Sequence, residues 1–254
     1  MFAWGCTAYG MLCINYRNLG NPGAPLNTYF FNGNLCIGAA LAIFTALFIG
    51  RQHTDGGLRN MISTGHSRRS IYLANLITCF AAGVGFLLAF WLGGILVGLP
   101  GMGTVIFTGI RRPMTGILWS MMTVLSYSAL FCMIAMLDSS KSRSAVVSLL
   151  LAAFLFAGGF ATRNGLEEPE FTTQYVTDNL VSFTKEENIP NPKFLRGTER
   201  TVYEALDALL PSCQALRPVL RDTDYPAAQP LYAAVWCVCL TALGCGLFRK
   251  KDIR

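Results

Sequence analysis

The chain has 254 residues, of which 53% are hydrophobic and only 13% are charged, with a formal net charge of +6. Its mean hydropathy is +0.44, which excludes an ordinary water-soluble domain and indicates a membrane protein. In chain order, the apolar runs lie at 1–16, 28–50, 71–98, 113–137, 144–162 and 230–248.

The last five of these runs contain no Asp, Glu, Lys or Arg, and they are 23, 28, 25, 19 and 19 residues long. A helix needs about 20 residues to cross a hydrocarbon core of roughly 30 Å. Lipid offers the backbone no hydrogen-bond partners, so each run is predicted to be a spanning helix. The run 1–16 is short for a span. We interpret it as a first span shortened by truncation or by a misplaced start codon, or alternatively as a buried or interfacial segment.

Charges in the loops predict the orientation. The loop 51–69 has four arginines and one aspartate, and the tail 249–254 has four basic residues and one acidic residue, so each carries +3. The short loop 138–143 carries +1, whereas the segment 163–229 has seven basic and eleven acidic residues. Lys and Arg collect in short cytoplasmic loops. We therefore expect both termini to be cytoplasmic, and the overall positive charge to reflect topology and not nucleic-acid binding.

The expected fold class is an all-α, six-span polytopic bundle with a small helical insertion outside the membrane. The predicted regions are a transmembrane part at 1–162, an extracytoplasmic insertion at 163–229, and the last span with its basic tail at 230–254. Acidic residues of the insertion are interpreted either as a solvated face or as substrate contacts.

Two helices are predicted in the insertion. In the segment 198–210, one helical face would carry the apolar residues Val202, Leu206 and Leu209. Thr201 and Glu204 have the spacing of a capping box, and Pro211 is expected to end this helix. The segment 171–183 is the second candidate helix, and its periodicity is weaker.

The loop 51–69 is expected to hold a short amphipathic helix over residues 58–64, with Asp55 as its N-cap. Leu58, Met61 and Ile62 would share one face, a spacing typical of a helix that docks in a partner's groove. The alternative is a basic loop that only fixes topology and contacts lipid headgroups. The candidate partner-binding residues are Asp55, Gly56, Leu58, Arg59, Met61, Ile62, His66 and Arg68.

Catalytic and metal-binding patterns are missing from the sequence. It has no phosphate-binding loop, no zinc-protease motif and no serine-hydrolase motif. Both histidines, His53 and His66, lie in one loop, and eight of the nine cysteines lie in predicted spans. We therefore predict no catalytic residues, no metal site and no bound cofactor.

The spans contain no ionisable side chain other than Cys and Tyr. Carriers coupled to ion gradients use intramembrane charges, so a transporter of this composition must take its energy from elsewhere. The polar residues of the spans would either form hydrogen bonds between helices or line a pathway. They are Asn34, Asn75, Thr78, Ser120, Thr123, Ser126 and Ser128.

Residues 48–68 read FIGxxxxDGxLRNxxxxGHSR, with related patterns in YFFNG at 29–33, GTERTVY at 197–203 and FRKKDI at 248–253. Together these motifs resemble the membrane subunits of type-2 ABC exporters common in Firmicutes. The resemblance implies six spans, a coupling helix in the first cytoplasmic loop, and a separate ABC ATPase subunit that binds ATP and Mg. It also implies an external insertion before the last span. Gln52 stands where members usually have Glu, Met61 where they often have Lys, and a basic segment before the first span is missing.

The resulting hypothesis is a permease subunit of an ATP-driven exporter, paired with a second copy or with a related permease in the lipid bilayer. Substrates associated with the family are antimicrobial peptides, drugs and lipids. The alternative is a non-transporting sensor or assembly scaffold with an acidic external cap. A membrane-embedded enzyme ranks third because the sequence offers no catalytic set.

Overall fold

The structure, a computed structural model, describes residues 30–98, 111–176, 185–220 and 229–251. Its long helices are α1 (Gly33–Thr54), α3 (Arg68–Gly93), α4 (Arg111–Leu137), α5 (Lys141–Glu167) and α8 (Gln229–Lys250). Its shorter elements are α2 (Gly57–Ser63), β1 (Phe171–Val176), β2 (Lys185–Pro190), α6 (Thr198–Leu209) and α7 (Pro211–Leu220). A π-helical segment, Gly94–Gly98, extends α3.

Within the described residues, five helices are long and apolar enough to cross a membrane. They coincide with the five charge-free runs after residue 28, which confirms an all-α polytopic membrane protein. The predicted first span, 1–16, lies outside the described residues, so the count of six remains a prediction. Large apolar side chains stay exposed along these helices, and Phe154 of α5 is 74% exposed. Such a surface is typical of contact with lipid or with another membrane protein.

Helix α4 lies at the centre of the bundle, in contact with α1, α3, α5, α7 and α8. Of its most apolar segment 67% is buried, against 28% for α5 and 22% for α8, which are therefore peripheral. Glycine permits a close approach of three helices at Gly83 of α3. A Cβ there would lie 2.5 Å from Val124 of α4 and 3.1 Å from Leu41 of α1.

Most of the polar side chains within the described spans form hydrogen bonds inside the chain. Asn34 of α1 donates through Nδ2 to Ser120 Oγ of α4 at 2.9 Å, which confirms one predicted interhelical hydrogen bond. Asn75 and Thr123 instead donate to the carbonyl four residues earlier in their own helices. This arrangement removes the cost of an unpaired polar group in lipid without linking helices.

The prediction of a helix at 171–183 is wrong over its described part. Residues Phe171–Val176 form β1, which pairs antiparallel with β2, Phe171 opposite Pro190 and Val176 opposite Lys185. The sequence FTTQYV is rich in β-branched and aromatic residues, which favour a strand. Residues 177–183 lie outside the described part of the chain.

The predicted helix at 198–210 is present as α6 (Thr198–Leu209), but the predicted capping box is not formed. The N-cap is Gly197, with φ of 59°, and Thr201 lies inside the helix, where its hydroxyl donates to the Gly197 carbonyl. Because the helix begins at Thr198, before the predicted cap residue Thr201, Glu204 pairs with Arg200 instead of closing a capping box. The expected apolar face is exposed, Val202 by 51% and Leu209 by 47%, whereas Asp207 is buried.

Pro211 ends α6 as predicted and also begins α7, because its fixed φ suits the first position of a helix. Residues 211–218 of α7 are all buried, and the helix contacts α1, α4 and α5. Part of the predicted external insertion therefore enters the bundle. Burial also raises the pKa of Cys213 in α7 to about 12, so this thiol is protonated at neutral pH.

Two neighbouring glycines of α5 provide a test of the contact between α5 and α7. A Cβ on Gly159 would lie 2.7 Å from Cβ of Ser212, whereas a Cβ on Gly158 would meet nothing within 4 Å. We expect Gly158→Ala to be neutral or to stabilise by up to about 1 kcal/mol. Gly159→Ala should be about 1–3 kcal/mol less stable than Gly158→Ala because it overpacks this contact. Thermal unfolding in detergent measures the difference, and equal stability of the two variants would contradict the placement of α7.

Candidate functional site

The loops with a positive charge meet at one end of the bundle, which we call the basic end and define by residues 50–69, 136–143 and 248–251. A Cβ on Gly50 would lie 2.9 Å from the Lys141 side chain, which brings the end of α1 to the start of α5. At the opposite end, Phe30 stacks on Trp91 with ring centroids 5.7 Å apart. The long helices therefore alternate in direction, as six-span topology predicts.

Two cations fasten helices together at the basic end. Arg68, at the start of α3, donates to the carbonyls of Phe248 at 3.2 Å and Arg249 at 3.1 Å. Lys251 donates through Nζ to the Met136 carbonyl at the end of α4, at 3.0 Å. Burial is the main cause that lowers the pKa of Lys251. Carbonyls at a helix C-terminus have no intrahelical partner and carry partial negative charge, so both contacts are favourable.

Glycines at both ends of helix α2 form the turns that connect it to α1 and α3. Gly56 is its N-cap at φ 69°, and Gly65, at φ 93°, follows its last turn. The N–H of Gly65 donates to the Ile62 carbonyl and the N–H of His66 to the Met61 carbonyl, the pattern of a Schellman motif. The left-handed backbone at both glycines lets α2 turn sharply away from the neighbouring spans.

Asp55 was predicted as the N-cap of α2, and this prediction is wrong. Its backbone N–H donates to the Arg51 carbonyl, so Asp55 is the C-cap of α1. Its carboxylate pairs with Arg51 at 3.1 Å on the surface. The left-handed conformation that separates the two helices falls on Gly56, which is therefore the N-cap. The helix itself begins at Gly57, one residue before the predicted start at residue 58.

The apolar face of α2 points into its own chain. Leu58 is 1% exposed, and Met61 and Ile62 pack half-buried against the same core. The expectation that these three side chains form an open docking face is therefore not met. The outward face consists instead of Arg59, Asn60, Ser63, Thr64 and His66, which are exposed.

The predicted site residues thus fall into three groups. Asp55, Arg59 and His66 are exposed and accessible to a partner. Leu58, Met61 and Ile62 anchor α2, with Gly56 setting its direction, as described above. Arg68 is half-buried and joins α3 to α8, a role that the sequence pattern did not reveal because its acceptors lie 180 or more positions away.

Gln52, where the sequence departs from the resembled family, lies half-buried near the end of α1. Its Oε1 is shielded from solvent and has no hydrogen-bond partner among the described residues. A carboxylate at this position would carry a negative charge next to the negative end of a helix, which is unfavourable. The neutral amide therefore suits this environment better than Glu.

A charge pair fixes the neighbouring loop between α4 and α5. Arg143 donates to both carboxylate oxygens of Asp138, at 2.7 Å and 2.6 Å, and these hydrogen bonds lower the pKa of Asp138. Ser140 caps the start of α5. In the described part of the chain, no group of three or more His, Cys, Asp or Glu side chains is suited to a metal ion.

The comparison with known proteins covers the part of the chain that contains helices α1 to α4 and most of α5. The model of a family described as ABC-2 family transporter protein matches residues 12–159, more than half of the 254 residues. Among curated proteins, none matches the chain. The match supports the role of a membrane permease component of an ABC transporter, one that is not itself catalytic. It also confirms the family that the motifs at 48–68 predicted. The chain belongs to the ABC-2 family of transporter proteins.

Proposed function

We propose that this chain is the permease subunit of an ATP-driven exporter and that the outward face of α2 binds a separate ATPase subunit. The observation that carries the proposal is the two-sided character of α2. One side, around Leu58, is buried in the bundle, while Arg59 and Asn60 on the other side are open to a partner. A helix of this kind can transmit a displacement from a bound protein to the spans.

The proposed orientation places the basic end in the cytoplasm, where the ATPase and ATP are found. Support comes from the charges of the loops that meet there. The loop 51–69 and the tail 249–254 each carry +3, and positive residues in short loops are retained on the cytoplasmic side. Both termini would then be cytoplasmic.

The contacts around α2 suggest how movement would spread. Helix α2 touches α1 and α3, Arg68 links α3 to the end of α8, and Lys251 links that end to α4. A displacement of α2 would therefore be shared by most of the spans. The energy must be supplied by a partner that distinguishes two arrangements of the bundle, and binding of ATP and Mg to the ATPase provides it.

Two copies of the chain, or one copy and a related permease, would form the pathway. The proposed substrates are those associated with the resembled exporters, namely antimicrobial peptides, drugs or lipids. A non-transporting sensor would share the topology and the acidic insertion, but it would need no ATPase.

The test is co-expression of the chain with a candidate ABC ATPase subunit from the same genome, followed by purification and reconstitution in liposomes. We expect the two proteins to co-purify in equal amounts and ATP hydrolysis to depend on their association. Failure to associate, with both proteins folded and monodisperse, would overturn the proposal and favour the sensor.

A further inference from the structure

A cationic cavity lies at the basic end between the start of α3 and the end of α8. It has a volume of about 630 Å³. Its lining residues are Arg69, Ala242, Cys245, Gly246, Arg249 and Lys250. A second cavity of about 600 Å³ shares Ala242, Gly246 and Lys250 with the first, and it adds the apolar side chains of Leu243 and Leu247. The two form one groove, cationic at the helix end and apolar along the helix.

The cationic part of the groove has no acidic partner among the residues that the structure describes. Three positive side chains, Arg69, Arg249 and Lys250, line it, and no carboxylate lines either cavity. The surface ion pairs of the basic end join other residues, Arg51 to Asp55 and Arg143 to Asp138. Clustered cations without counter-charges favour a bound anion, and arginine is well suited to phosphate oxygens.

The apolar part of the groove faces away from the bundle. Leu243 is 58% exposed and Leu247 is 49% exposed, and a Cβ on Gly246 would meet nothing within 4 Å. Ala242 lies seven residues before Arg249, so the groove runs roughly 10 Å along the helix from the charged end. The open floor at Gly246 provides room for a hydrocarbon chain beside the helix.

We infer that this groove binds an anionic phospholipid. The lipid phosphate lies among Arg69, Arg249 and Lys250, and one acyl chain follows the helix over Gly246. Basic pockets at the membrane surface recognise lipid headgroups in this way. The site goes beyond the proposed function, because it requires only that the chain lies in a bilayer and not that an ATPase binds.

Other occupants fit the groove less well. Residues 1–29 contain one charged residue, Arg17, and no carboxylate, so that segment cannot neutralise the three cations with a side chain. A second copy that presents the same groove across a two-fold axis would bring like charges together. An anionic lipid supplies both the negative charge and the hydrocarbon chain that the groove accommodates.

The experiment is native mass spectrometry and lipid titration of the purified chain with phosphatidylglycerol and phosphatidylcholine. The test variant carries Arg69→Gln, Arg249→Gln and Lys250→Gln. A matched control carries Arg51→Gln, Lys141→Gln and Arg143→Gln, which removes the same charge from the same end without touching the groove. A third variant, Gly246→Leu, fills the floor and leaves the charges in place. Thermal unfolding shows which variants are folded, and Gly246→Ala replaces Gly246→Leu should the latter fail to fold.

We expect the wild-type chain to retain phosphatidylglycerol at least tenfold more tightly than phosphatidylcholine. The groove variant should lose that preference, the control should stay within about twofold of wild type, and Gly246→Leu should weaken binding of phosphatidylglycerol by threefold or more. Equal losses in the groove variant and the control would overturn the inference, since they would show diffuse charge attraction. Unchanged binding by Gly246→Leu, or displacement of the lipid by millimolar inorganic phosphate, would show a soluble-anion site instead. Loss of a second copy of the chain, with no loss of lipid, would show a dimer contact.

Discussion

Replacing Asp207 with asparagine is expected to destabilise the protein by roughly 3–5 kcal/mol, because two buried arginines would lose the buried carboxylate that they share. Arg163 would keep its pairing with the exposed Glu167. Asp207 of α6 is 3% exposed, Arg163 of α5 is 6% exposed and Arg217 of α7 is 8% exposed. One carboxylate oxygen of Asp207 faces Arg163 Nη1 at 3.5 Å, and the other accepts a hydrogen bond from Arg217. This single side chain therefore joins three helices.

The matched control lies on the same helix. Glu204 pairs with Arg200 at 3.1 Å, but 57% of the glutamate side chain and 39% of the arginine side chain are exposed. Surface pairs of this kind contribute about 0.2–1 kcal/mol, so Glu204→Gln should change stability little. Thermal unfolding of detergent-solubilised protein, followed by size-exclusion chromatography, measures both variants. A loss for Asp207→Asn no larger than that for Glu204→Gln would show that the buried charges do not fasten α7 to the bundle.

Replacing Arg59 with glutamate is expected to weaken association with the ATPase subunit at least tenfold, which corresponds to about 1.4 kcal/mol. Arg59 is exposed on α2 and has no described role in holding that helix in place, so the change should leave the fold intact. Reversing a charge in a contact replaces attraction by repulsion and leaves the partner's group unpaired. Transport should fall together with association.

The control for this prediction is Arg196→Glu, which lies in the insertion and away from the basic end. Arg196 pairs with Glu170 at 3.5 Å on the surface, so reversal of its charge should have little effect on folding or on the ATPase contact. Binding is measured by titrating the labelled ATPase subunit onto the permease in nanodiscs. Equal affinity of wild type and Arg59→Glu would remove α2 from the proposed contact.

The sequence predicts the spans well and their ends poorly, for a physical reason. A charge-free run marks only the part of a helix that lies in hydrocarbon. The helices continue into charged residues, so α5 extends from Lys141 to Glu167 although its charge-free run covers 144–162. At the headgroup level water and lipid phosphates solvate exposed charges such as Lys141. Arg163 is buried, but Asp207 supplies its counter-charge, so nothing at either end requires the helix to stop.

Helix α2 illustrates what periodicity can and cannot reveal. The pattern of Leu58, Met61 and Ile62 correctly predicts a short amphipathic helix, found at Gly57–Ser63. It does not reveal whether the apolar face meets another protein or the chain's own bundle, because both environments select the same residues. The contact of Leu58 with the core depends on side chains that are distant in sequence.

The insertion was harder to predict for a related reason. The helical period of α6 places Val202 and Leu206 on one face, but it does not reveal that this face is exposed and that Asp207 is buried. Its partner Arg163 lies 44 positions earlier, and a window of one or two turns cannot detect such a pair. A buried charge is predictable only when its counter-charge is known to be near.

The most direct measurement for the account as a whole is photo-crosslinking from position 59 in membranes that contain both subunits. A photoreactive residue in place of Arg59 should give a covalent product with the ATPase, and the same residue in place of Arg196 should give none. ATP should change the yield at position 59, because the coupling surface is expected to move with the nucleotide state. A product from position 196, or none from position 59 while the two subunits remain associated, would contradict coupling through α2.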